Sequence, residues 1–172
     1  LMAAQRIAGG AATDLRQLII PHLATWDDEA RPPAAKRLVA DEARLLAGAR
    51  SHLATLANAL VDERLLTRSS GADGKPTLEV AHEALLRLAP LSDWLAEDRE
   101  FLVWRGRLAR DRAGYEANQR GLLIGRELEI ARGWLAERPT DIAAEDSDFI
   151  ALSVSEDEAR RTEEGERERA RQ

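Results

Sequence analysis

The stretch TLEVAHEALLR, residues 77–87, decides how this chain is read. Leu78 and Val80 alternate with Thr77 and Glu79, the period-two pattern of a half-buried strand. His82 and Glu83 then open HEALLRLA, a run with helical spacing that Pro90 ends. Of the three histidines in the chain, only His82 stands where one kind of structure gives way to another. Two readings of it are open. It is a packing residue whose ring bonds a backbone carbonyl, or it projects past the end of a domain toward a ligand.

Upstream, LLTRSSGADGKP sets a Ser/Gly/Asp cluster between two short apolar pieces, so residues 65–80 read as a β-hairpin with a loose tip. Before the hairpin, SHLATLANALVDERLL repeats Leu53, Leu56 and Leu60 at helical spacing. LVADEARLLAGA predicts a short helix through Leu38, Leu45 and Leu46, ended by Gly48. DDEARPP reads as a loop. In TDLRQLIIPHLATW, Leu15, Leu18, Ile19 and Leu23 share a helical face. Pro21 removes an amide donor there and predicts a kink or stop near Ile20. Residues 1–12, with Gly9-Gly10, read as a linker. Three helices, a hairpin and a further helix are the order of a winged helix-turn-helix, here over 13–90.

Downstream the pattern stays helical. Pro90 suits the first turn of a helix, and residues 91–118 carry one stripe of Leu91, Trp94, Leu95, Phe101, Trp104, Leu108 and Tyr115. LLIGRELEIARGWLAE repeats the device with Ile124, Leu128, Ala131 and Leu135, and a short helix after Pro139 holds Phe149 and Ile150. Residues 91–154 therefore read as a helical bundle extension with Trp94, Phe101, Trp104 and Trp134 as its core. From Ser155 the chain has almost no apolar residue. Ser155 and Glu158 fit a capping box, so 155–172 reads as a solvated helix or disordered connector to a missing C-terminal region. The fold class expected is mainly α: a winged helix with a small β-hairpin wing, then a helical bundle.

Composition bounds the function. At 172 residues and 44% apolar, the chain can bury a core. Aromatics are only 4%, and alanine and leucine dominate, which favours helices. All but Lys36 and Lys75 of the 25 basic residues are arginine, a composition that suits a GC-rich bacterial genome. The chain has no cysteine, which excludes disulfides and thiolate metal sites and suits a reducing cytoplasm. No apolar run nears the ~20 residues of a membrane span, and no signal peptide is read at the N-terminus. A start at Leu1 and a charged end at Gln172 read as a piece of something longer.

The motifs that suggest chemistry fail on inspection. GADGKP puts Ser69 where a phosphate loop needs glycine and Pro76 where it needs a hydroxyl. His82-Glu83 begins like a zinc-protease helix, but Leu86 stands in place of the second histidine. No carboxylate pair stands apart from a 33% charged background, so no metal site, cofactor or catalytic residue is expected in this chain. A DNA-reading helix would span Ser51–Arg64, yet it ends in Asp62 and Glu63 and the net charge is −6. Groove readers need cations for phosphates, so nucleic acid is not the expected partner. A DNA-binding regulator and a plain helical interaction scaffold remain the alternatives.

From Leu60 onward the segments ALVDERLLT, LEVAHEALLR, WLAEDREFLVWRGRL, GLLIGRELEIARGWLAE and DFIALS resemble, in order and spacing, the winged-helix and following helices of STAND signal-transduction NTPases. The likeness is best to the bacterial branch called novel STAND NTPases, often followed by WD repeats. It is strong over 60–155, and 13–59 fits as the first winged helices. Ala89 stands near where the family usually has a tryptophan, and the Pro21 kink departs from its first helix. The nucleotide-binding half, with phosphate loop and magnesium ligand, is not in this chain. The resemblance implies a non-catalytic regulatory segment, with ADP or ATP and magnesium held elsewhere in the parent protein. Its partners would be the parent's nucleotide-binding domain and C-terminal repeats, with oligomerisation on activation. Ala81-His82-Glu83 looks like the family's Met-His-Asp triplet, whose histidine reaches the ADP phosphate and locks the inactive state.

Overall fold

A computed structural model describes residues 12–30 and 33–171; the linker expected over 1–12 lies, but for Ala12, outside them. The described chain is mainly helical with small antiparallel sheets. It divides into two compact units, one ending at Gly106 and one beginning at Arg107.

In the first unit, helix α1 (Ala12–Ile19) buries Leu15, Leu18 and Ile19. It stops before Pro21 as expected, with Ile20 N–H still donating to Arg16 O at 2.8 Å. The chain then forms a hairpin that periodicity did not reveal: β1 (Ala24–Asp27) pairs antiparallel with β2 (Ala34–Arg37), Ala24 opposite Arg37. DDEARPP thus begins inside a strand, though Arg31 and Pro32 lie outside the described residues. The cause is local. Asp27 Oδ1 accepts from the amides of Glu29 at 3.0 Å and Ala30 at 3.1 Å, turning the chain without an apolar alternation.

The helix expected from Leu38 is mostly replaced. Ala40–Asp41 forms strand β3, and only Glu42–Leu45 is helical (α2), capped by Asp41 Oδ1 on Arg44 N–H at 2.9 Å. Strand pairing of Ala40 with Leu78 took residues that propensity alone assigns to a helix. A 3-10 turn over Gly48–Leu53 leads into α3 (Ala54–Asp62), which buries Leu56, Ala57 and Leu60. Strands β4 (Leu66–Ser70) and β5 (Pro76–Val80) make the expected hairpin, Leu66 opposite Val80 and Ser70 opposite Pro76. Its tip turns through Gly74 at φ 77°, where a side chain would be strained. Asp73 accepts from Lys75 N–H there, and that bond holds its carboxyl below the usual range. The sheet order is β3-β5-β4.

After β5 the run at Glu83–Arg87 is a 3-10 turn rather than an α-helix, with Leu86 buried at 1% exposure. Pro90 then caps α4 (Leu91–Glu97), and α5 (Arg99–Glu116) follows after a break at Asp98. The stripe expected through 91–118 is therefore two helices. Leu91, Leu95, Phe101 and Leu102 are buried, whereas Trp94 and Trp104 are only half-buried. Arginines explain part of that. Arg16 lies over the Trp94 ring at 5.9 Å, an amphipathic position rather than a core one.

In the second unit, α6 (Gly125–Glu137) and α7 (Ala144–Ala170) pack on each other. Leu108, Leu123, Leu128, Ala131, Phe149 and Ile150 are buried. Ile124 is not on the buried stripe but 58% exposed, because it precedes the helix in extended backbone. Trp134 and Leu135 are half-buried. Tyr115 meets Phe149 at 5.5 Å between ring centroids. The tail is helical, but not a new helix. α7 runs unbroken through Ser155 from its start at Ala144, so the capping box of Ser155 and Glu158 does not form.

Candidate functional site

His82 leaves β5 at the point where the strand ladder ends. Ala81 N–H donates to Leu65 O at 3.0 Å, the last cross-strand bond. His82 itself is extended, φ −137° and ψ 126°, and its carbonyl accepts from Leu85 N–H at 2.9 Å to start the 3-10 turn. Buried Leu86 and half-buried Leu85 tie that turn to the unit, while His82, Glu83 and Ala84 are exposed. This placement leaves His82 exposed rather than partly buried. Among the described residues its ring has no hydrogen-bond or ion-pair partner.

The other two histidines differ. His22 Nε2 lies 2.7 Å from Arg50 Nη1, and His52 Nε2 lies 3.7 Å from Asp14 Oδ1. Both are engaged inside the first unit.

Sequence reasoning missed Arg37. It ends β2, which packs against the 3-10 turn of Glu83–Arg87. Its Nη1 donates to Val80 O and Ala81 O, each at 3.4 Å, and stands 3.5 Å from Glu79 Oε2. The guanidinium thus lies on the peptide that joins Ala81 to His82. No periodicity marks a four-residue strand of Ala-Ala-Lys-Arg, so nothing local could have signalled it.

The polar positions of the supposed DNA-reading helix are partly spent on the fold. Arg68 donates to Glu42 at 2.7 and 2.6 Å and to Asn58 Oδ1 at 2.7 Å. The Glu42 bond raises the Arg68 pKa above its ordinary value. No helix among the described residues is long and apolar enough to cross a membrane.

The model of the family Novel STAND NTPase 1 matches residues 6–121, more than half of the chain. The chain belongs to that family. No curated protein and no solved structure matches it. Within this STAND chain, the matched span includes Arg37, the β4–β5 hairpin and His82.

Proposed function

We propose that this chain is a non-catalytic regulatory segment of a STAND NTPase. It packs on the nucleotide-binding domain of its parent, senses bound ADP through His82, and couples nucleotide state to C-terminal sensor repeats in cytoplasmic signalling. The first unit is read as a winged helix. What supports this is the order α1, β3, α2, α3, β4, β5 with sheet order β3-β5-β4, the β4–β5 hairpin serving as wing and β1–β2 as an insertion.

The observation that carries the sensing role is the exposed, unpartnered ring of His82 at a strand exit anchored by Leu86. A second feature agrees with docking. Among the described residues of the first unit, the exposed large apolar side chains are Val39 at 63% and Leu88 at 53%. One follows β2 and the other follows the 3-10 turn that begins after His82, and these two elements pack on each other. Isolated apolar side chains are ordinary on a surface; two that follow elements packed on each other next to His82 in the chain suit a face that another domain covers.

A charge-assisted hydrogen bond from His82 to phosphate is worth about 1.5–3 kcal/mol. Losing it shifts the closed–open balance by roughly ten- to a hundredfold. The test is His82→Ala in the full-length protein that carries this segment. ADP release is expected to accelerate, with signalling in the absence of the trigger. Unchanged ADP release from a folded His82→Ala protein sinks the proposal and leaves the plain scaffold.

A further inference from the structure

We infer that Arg37 forms, with His82, a two-residue site for phosphoryl oxygens. The inference rests on the phosphate-sensing reading of His82 and adds the cation that reading lacks. A neutral imidazole offers one donor and no charge, whereas guanidinium is charged at every working pH and matches phosphate with a planar fork.

Arg37 differs from the arginines that serve the fold. Arg68 and Arg112 reach carboxylates at 2.8 Å or less and have their forks occupied: Arg68 by Glu42 and Asn58, Arg112 by Asp146 at 2.7 Å and Glu116 at 2.8 Å. Arg37 makes its three contacts through Nη1 alone, at 3.4, 3.4 and 3.5 Å. A settled charged N–H···O bond lies near ~2.7–2.9 Å. None of the three is settled, and among the described residues the remainder of the fork has no partner.

Placement gives this loose guanidinium its meaning. Ala81 O belongs to the same peptide unit as His82 N, so the Arg37 charge rests one peptide from the exposed histidine. The Arg37 side chain is 43% exposed. Glu79 is the resident competitor. In the absence of phosphate its carboxylate holds Arg37 weakly at 3.5 Å; a doubly or triply charged phosphate displaces it. The site therefore exchanges one long ion pair for a short, forked one.

The experiment is a titration of the 172-residue chain with inorganic pyrophosphate, followed by NMR at the Arg37 Nε–H and His82 ring resonances. Both are expected to shift along one saturable curve in the millimolar range that weakens with added salt. Arg37→Ala and His82→Ala should each weaken binding about tenfold, the equivalent of ~1.4 kcal/mol. Glu79→Gln should tighten it, and Arg37→Lys, which keeps charge and stem but loses the fork, should fall between. Arg126→Ala, an exposed arginine of the second unit, should change nothing. If His82 shifts and Arg37→Lys and Arg37→Ala bind as the wild type does, the Arg37 inference fails and the His82 reading stands. If Arg37→Ala weakens binding while His82→Ala does not, the pair is wrong and so is the sensing histidine. Absence of any saturable shift overturns the site outright.

Discussion

At Arg64 the backbone enters the left-handed region, φ 59°, just past the end of α3. Leu65 N–H reaches back to Leu60 O at 2.9 Å, the bond that closes a helix whose next residue is left-handed. Glycine is usual at such a position because a Cβ costs roughly 1 kcal/mol there. Arg64 is exposed, so Arg64→Gly is expected to stabilise the unit by about 0.5–1 kcal/mol in denaturant unfolding; a lowered midpoint would refute that. The same scale separates His82 from its neighbours. Leu86 is 1% exposed and Leu85 half-buried, because a 3-10 turn brings a different side chain inward than an α-helix would. Leu86→Ala should therefore cost about 2–5 kcal/mol, whereas His82→Ala should leave the melting temperature nearly unchanged. Equal destabilisation by the two would return His82 to a packing role.

Among the elements, α7 shows where burial stops supporting a helix. Asp146, Phe149, Ile150, Ser153 and Asp157 are its buried positions. Asp146 and Ser153 are hydrogen-bonded, whereas Asp157 Oδ2 is buried with an ion pair but no hydrogen bond. Arg112 Nε donates to Asp146 Oδ1 at 2.7 Å, and this bond raises the Arg112 pKa. Ser153 Oγ donates to Phe149 O at 2.9 Å and accepts from Leu123 N–H at 3.2 Å. Asp157 pairs with Arg160 and, at 2.8 Å, with Arg161. From Glu158 to Ala170 no residue is buried, and the helix rests on pairs such as Glu163–Arg167 at 3.2 Å. Such pairs contribute only ~0.3–0.5 kcal/mol each. Amide exchange is accordingly expected to be slow through Phe149–Asp157 and fast through Arg160–Arg169. Strong protection in the second stretch would mean that it packs on something.

For the whole molecule, the net charge of −6 and the use of Asn58 and Arg68 inside the fold bear on nucleic acid. Duplex binding is expected to be undetectable near physiological salt, because phosphate affinity needs free cations on the docking helix. A retarded band at low protein concentration, with affinity falling steeply as salt rises, would favour the DNA-binding alternative. The acids at Asp62 and Glu63 repel the same backbone.

Whatever depended on local chemistry was legible in the sequence. Pro21 ended α1, the Ser/Gly/Asp cluster marked the β4–β5 turn, and alternation at Leu78 and Val80 fixed which face of β5 is buried. The exit of the chain at His82 followed from the same alternation, and the mainly helical class from alanine and leucine content and helical spacing. Tertiary structure decided the rest, because the competing local states differ by little. Ala40–Asp41 has ordinary helix propensity and became a strand only because β5 offered an edge. Ala24–Asp27 and Ala34–Arg37 have no apolar period and found each other through an Asp27 turn. That pairing alone carried Arg37 across the chain to the peptide before His82. A contact between residues so far apart in sequence leaves no periodic trace in either segment, so only the folded packing brings the arginine to the backbone that precedes the histidine.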